Sequence, residues 1–140
     1  MSEKYKLQII DDSSFNLSLE KVIYNRLGIS EGLSKGGNLK LRTKDHYKVL
    51  KITNNEVKIE FIREKYFEPA GLFQIEIVIT LDYRLRESNN KEKGEIIEED
   101  LKREYSKLLS PAATRASILV SALTGINFKN PVVDPPYPLL

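Results

Sequence analysis

From Phe73 to Leu85 the chain alternates without a break. Phe73, Ile75, Ile77, Ile79, Leu81, Tyr83 and Leu85 share one phase, and Gln74, Glu76, Val78, Thr80, Asp82 and Arg84 share the other. A period of two sustained over this length predicts a long antiparallel strand with one buried face. Shorter runs precede it. Tyr5, Leu7 and Ile9 alternate with Lys4, Lys6 and Gln8, and Phe15, Leu17 and Leu19 alternate with Asn16 and Ser18. Leu39–Arg42 and Tyr47–Ile52 read as weaker strands, Asn54-Asn55 as a turn, and Val57, Ile59 and Phe61 as the start of another strand. Glu68-Pro69-Ala70-Gly71 interrupts the rhythm and predicts a turn or bulge. The segment from Val22 to Asn38 holds Gly28, Gly32, Gly36 and Gly37, four of the seven glycines, and is read as loop.

Beyond the polar stretch Ser88–Gly94 the period changes. Ile97, Leu101, Tyr105 and Leu108 recur at helical spacing between Glu95 and Leu109, with acids in the first turns and Lys102, Arg103 and Lys107 later, as the helix dipole favours. A second helix is expected to open with Ser110 as its cap and Pro111 at its first position, and to end at Gly125. Four of the six prolines lie in the last ten residues, so Pro131–Leu140 must be extended, and its valines, Tyr137 and leucines predict that it is docked. Strands followed by helices and an extended tail describe an α+β domain whose antiparallel sheet is covered on one face. No repeat or linker divides the chain, so residues 1–140 are read as a single domain.

Composition narrows the function. At 41% apolar and 30% charged residues the 140-residue chain has the balance of a soluble globular protein. Cysteine is absent, which removes disulfides, thiolate nucleophiles and cysteine metal sites. The net charge of +2 is too small for a nucleic-acid address, and the early lysines alternate with apolar residues, as on the wet face of a sheet. The N-terminal residues lack the apolar run of a secretory signal, and no stretch is long enough to insert in a membrane, so a cytoplasmic protein is expected.

Catalysis finds little footing. His46 is the only histidine and stands in a charged stretch. Asp11-Asp12 and Glu98-Glu99-Asp100 are paired acids, but neighbouring residues on a helix point apart, and helix starts attract acids for electrostatic reasons alone. Ser34-Lys35-Gly36-Gly37 lacks the spacing of a phosphate-binding loop. The reading is a protein that is not an enzyme, with no catalytic residues, cofactor or metal.

Two features point to binding. Ala112, Ala113, Ala116, Ser117, Ser121 and Ala122 give the second helix a small-residue surface with Arg115 as its only charge. Ala112, Ala113, Ala116, Ser117 and Val120 are candidates for an oligomer interface; packing against the chain's own sheet is the alternative. The apolar and aromatic pairs Tyr66-Phe67 and Leu72-Phe73 flank the Pro-Ala-Gly break, and strict alternation cannot bury both members of each. One member of each pair, with Val132, Val133, Tyr137 and Leu139 of the tail, would line a groove for extended polypeptides. The alternative is that bends tuck these side chains into the core.

The sequence resembles the SecB-type protein-export chaperones and their SecB-like relatives. The run from Leu109 to Phe128 resembles the helix in which, in that family, Pro precedes Arg-x-x-Ile and Gly with an aromatic closes it; the spacing of Arg115, Ile118 and Gly125 agrees. The tail from Asn130 to Leu139 resembles the family's apolar, proline-containing C-terminal segment, with Pro136-Tyr137 where Asn-Phe is usual, and Lys6–Leu19 matches in style. The resemblance covers about a third of the chain. It implies a four-stranded antiparallel sheet followed by two C-terminal helices and an extended tail. It also implies an ATP-independent holdase that binds unfolded or extended polypeptides, assembles as a homo-dimer or homo-tetramer, and has a link to protein export. In the export chaperones the wet sheet face is acidic and meets the translocase ATPase. Lys58, Glu60, Gln74, Glu76 and Arg84 make it mixed here, which counts against that partner. Two other readings stand beside this one: a dedicated partner-binding protein on the same fold, serving a single antitoxin-like or phage-encoded client, and a small enzyme.

Overall fold

A computed structural model describes residues 15–28, 40–53, 56–84, 105–127 and 132–140. Strands β1 (Phe15–Arg26), β2 (Lys40–Ile52), β3 (Glu56–Glu68) and β4 (Phe73–Arg84) form one antiparallel sheet, and helix α1 (Tyr105–Asn127) follows them. The sheet order is β1-β4-β3-β2, so consecutive strands β2, β3 and β4 make a meander and β1 joins its far side.

The alternation of β4 becomes the centre of the core. Phe73, Ile75, Ile77, Ile79, Leu81 and Tyr83 are buried on the face that meets α1, together with Val57, Ile59 and Phe61 of β3. Leu85 lies outside the described residues. From the helix, Tyr105, Leu108, Leu109, Ala112, Ala113, Ala116 and Val120 complete the cluster, at the three- and four-residue spacing that keeps them on one stripe. Each fully buried large aliphatic or aromatic side chain contributes roughly 1.5–3 kcal/mol through removal from water. Tyr83 carries a polar tip into this core and donates its hydroxyl hydrogen bond to the Leu108 carbonyl. Rings pair around the rim, with Phe15 stacked on Tyr83 at 5.2 Å and Tyr47 tilted against Tyr105 at 4.2 Å.

Three expectations are corrected. Val22 to Arg26 is strand, not loop, because β1 continues past a bulge. Leu19 pairs with Ile79 and Lys21 with Val78, so Glu20 is an extra residue and Val22 returns to the phase of Leu19. Of the weak strands expected at Leu39–Arg42 and Tyr47–Ile52, the described residues form one continuous strand, Lys40–Ile52, because the intervening residues pair in register with β3. The third correction concerns the helices: among the described residues there is one, and Ser110 and Pro111 lie inside it. Ser110 is no cap, since its hydroxyl bonds back to the carbonyl of Ser106. Pro111 withholds one backbone donor, from the carbonyl of exposed Lys107. The buried stripe running through Leu108, Leu109, Ala112 and Ala113 carries the helix across that gap. The expected start at Glu95, the strand at Tyr5–Ile9 and the Asn54-Asn55 turn fall outside the described residues.

The break before β4 is a tight hairpin loop. The Glu68-Pro69 peptide is cis, and Leu72 adopts a positive φ of 61°. Leu72 is tied down from both sides: its amide donates to the Gly28 carbonyl and its carbonyl accepts from the Leu27 amide.

Candidate functional site

Where β2 and β3 pass beneath the C-terminal tail, the inward phase stops being apolar. Asp45 of β2 and Arg63 of β3 are direct cross-strand partners, and Thr43 faces Lys65 one step further along. Alternation places all four on the covered face, and Arg63 is fully buried. Its guanidinium makes five hydrogen bonds, one for each N–H it owns. Nε and Nη2 donate to the two oxygens of Asp45 at 2.8 and 2.7 Å. Nη1 donates to Asp134 Oδ2 at 2.8 Å and to the Pro135 carbonyl, and Nη2 donates to the Tyr137 carbonyl at 2.9 Å. Burial disfavours the charge, but the carboxylates of Asp45 and then Asp134 more than offset this and hold the guanidinium above its ordinary pKa.

Lys65 completes the set. Its ammonium donates to Thr43 and lies 2.7 Å from Asp134 Oδ1, an ion pair whose angle falls outside hydrogen-bonding range. Two buried cations therefore face two buried anions; Asp45, Arg63 and Lys65 belong to the sheet, and the fourth group, Asp134, arrives with the tail. Asp45 also accepts from the Leu139 amide at 2.8 Å. The cluster is an ionic clasp that fastens the tail to the sheet.

The helix fastens the other side. Thr114, Ser117 and Ser121 donate their hydroxyls to the carbonyls of Pro136, Asp134 and Val132, and Thr124 accepts from the Val132 amide at 2.8 Å. These positions recur at three- and four-residue steps along one helix face, while every second tail carbonyl answers them, so helix and tail run antiparallel. Replacing Thr124 by valine removes the acceptor of the Val132 amide. We expect that amide to exchange with solvent faster, with a loss of about 1–2 kcal/mol, readable by hydrogen exchange at the tail.

This geometry corrects the interface assigned to the helix. Ala112, Ala113, Ala116 and Val120 are fully buried against the sheet, and Ser117 is engaged by the tail, so none of the five is free to meet another copy. Small residues were needed here for close approach of the chain's own sheet and tail. The outward stripe of α1 is Arg115, Ile118, Ala122 and Ile126.

The eight candidate groove residues do not form one wall. Phe73 is buried and Phe67 packs edge-on against it at 5.0 Å, so these are the inward members of their pairs. Tyr66 falls on the opposite sheet phase, across from Gln74, and Leu72 packs at the core's edge within the hairpin loop. Val132 is half-buried beside the core, whereas Val133 (93% exposed), Tyr137 (58%) and Leu139 (38%) point outward from the clasped tail. The tail residues are thus brought together on the helix side of the sheet, away from Tyr66. His46 is exposed on the outer face of β2. Among the described residues no group of His, Asp or Glu is placed to hold a metal ion, and no helix is long and apolar enough to cross a membrane.

No family model matches the chain, and no curated protein matches it in sequence. Solved structures do. One is a Mycobacterium tuberculosis SecB-like chaperone in complex with a ChAD peptide from the HigA1 antitoxin, with a TM-score of 0.66 at 11% identity over 91% of this chain and 88% of that one. Another is a protein of unknown function from Streptococcus agalactiae, with a TM-score of 0.51 at 12% identity over 92% of this chain and 97% of that one.

Proposed function

Taking a SecB-like fold as premise, we propose that the chain is an ATP-independent holdase that binds unfolded or extended polypeptides. The observation that carries this reading is the tail, an extended segment fastened by buried charges while it turns Val133, Tyr137, Leu139 and Leu140 to solvent. Apolar side chains are costly to expose unless something covers them, and ordering the tail in advance removes that entropy from the binding step. Client affinity would come from burial of client side chains and requires no nucleotide. The likeness to a chaperone solved with an antitoxin peptide supports a polypeptide as ligand.

A second reading, a dedicated protein for a single antitoxin-like client, draws on the same likeness, and the breadth of clients separates the two. Assembly as a homo-dimer or homo-tetramer belongs to the proposal as well. It would run through the outward stripe of α1, where Ile118 and Ile126 are exposed, and scattering of the purified protein at micromolar concentration tests it. A cytoplasmic location belongs to the proposal too, and any link to export would not run through an acidic sheet face, since Lys58, Glu60, Gln74, Glu76 and Arg84 make that face mixed in charge.

The test of the holdase is direct. Several chemically unfolded clients should stay in solution in the presence of the protein without nucleotide, as followed by light scattering. Changing Tyr137 and Leu139 together to serine should weaken retention by roughly 1–3 kcal/mol per site. Both side chains point to solvent, and the two residues are fastened through the Tyr137 carbonyl and the Leu139 amide, so the melting temperature should stay near that of the wild type. Unchanged retention by the double variant would remove the tail from the binding surface.

A further inference from the structure

Strand β2 forms one edge of the sheet. On the outer face, β2 presents Lys40, Arg42, Lys44, His46, Lys48 and, beyond a bulge at Leu50, Lys51, all of them exposed. Its one acid, Asp45, points to the other face and is consumed by Arg63. Among the described residues no strand pairs with the outer edge of β2, and Lys40, Lys44 and Lys48 take part in no ion pair.

The strand already bonded to β2 shows what this pattern selects. Glu68, Glu64 and Glu60 of β3 stand opposite Lys40, Lys44 and Lys48 in register, while Phe67, Lys65, Arg63, Phe61 and Ile59 fill the covered face between them. Directly opposed charges of opposite sign favour pairing and like charges disfavour it. On the covered face, Leu41, Tyr47 and Val49 of β2 are only half-buried, in contrast to the fully buried Ile59 and Phe61 beside them. The tail reaches the middle of β2, where the Leu139 amide bonds Asp45, and leaves its own side chain partly exposed there.

We propose that the free edge of β2 is a docking strand for an extended partner segment that alternates acidic with apolar residues. Main-chain hydrogen bonds would add the segment to the sheet. Its acids would lie against Lys40, Arg42, Lys44 and Lys48, and its apolar side chains against Leu41, Tyr47, Val49 and Leu139. The inference rests on the polypeptide-binding reading and gives it a partner chemistry. Lysines along an edge also keep sheets from pairing edge to edge; that role alone predicts no acidic ligand.

The full chain is titrated, by fluorescence anisotropy, with three labelled peptides: alternating Glu and Val, alternating Lys and Val, and the Glu-Val peptide methylated on alternate backbone nitrogens. The acidic peptide should bind at least about tenfold tighter than the basic one, and more weakly as salt rises. Methylation along the bonding edge should cost about tenfold or more, because the lost donors are those a sheet requires. The variant Lys44→Gln with Lys48→Gln, which changes two exposed side chains and should melt with the wild type, should lose about fivefold for the acidic peptide and nothing for an unfolded neutral client. Equal affinity for the acidic and basic peptides, indifference to methylation, or an unchanged double variant would each overturn the assignment. If unfolded clients are still retained in that case, only the edge inference falls; if neither peptide nor client binds, the holdase reading falls with it.

Discussion

Replacing Arg63 by alanine will destabilise the protein by about 3–5 kcal/mol, because the loss leaves Asp45 and Asp134 buried with only Lys65 to balance them. The tail also loses the donors that hold the carbonyls of Pro135 and Tyr137. Thermal melting followed by circular dichroism should show a Tm lower by roughly 10 °C or more for a domain of this size. Removing the whole clasp is a different experiment. With Asp45, Arg63, Lys65 and Asp134 all replaced by apolar residues of similar volume, no charge is stranded and much of the loss should be recovered. An Arg63→Ala protein that melts with the wild type would show that the clasp contributes nothing to the fold. The expectation concerns removal of one partner, and it does not credit the intact network with the same energy.

Ala116→Glu should unfold the protein. Ala116 is fully buried in the seam between α1 and the sheet, and a carboxylate there would be both oversized and unpaired. The penalty is several kcal/mol, comparable to the whole stability of a small domain. Ile118→Glu, two residues away on the exposed stripe, is the control and should fold normally. The pair separates intrachain packing from assembly. An Ala116→Glu protein that keeps its wild-type melting curve and changes only its oligomeric size would reverse the correction made to the helix surface.

Part of this architecture is readable in the sequence. The phase of Phe73 to Tyr83 predicts which face is buried, and the proline-rich end predicts a docked, extended tail. What escapes has physical causes. One extra residue at Glu20 places Leu19 and Val22 three apart on the same face, so a search for period two ends the strand too early. In β2, Thr43 and Asp45 occupy inward positions and mimic a polar break; their partners are Lys65 and Arg63, which hold the matching phase on β3. Charges of opposite sign at core phase in two neighbouring strands are a signal in the sequence, though it becomes legible only once the register is known. The helix misled for a related reason. Serines, threonines and alanines suit another copy of the chain as well as a returning tail, and spacing alone does not distinguish the two. The continuity of the helix through Pro111 depends on a buried stripe that outweighs a missing donor. The likeness of fold to a SecB-like chaperone agrees with the resemblance read from the helix and tail, and it does so at 11% identity.

The clasp also bears on the order in which the chain comes together. The β2–β3 and β3–β4 hairpins join neighbours along the chain, whereas Arg63 and Asp134 are 71 residues apart, and Asp45 and the Leu139 amide 94. Closing spans of that length costs entropy before any bond forms, so the meander can nucleate alone while the tail must wait for both sheet and helix. Interactions made after the rate-limiting step slow the reverse reaction and leave the forward one almost untouched. The buried charges around Arg63 would then set chiefly how long a folded molecule lasts, and hardly at all how quickly it forms.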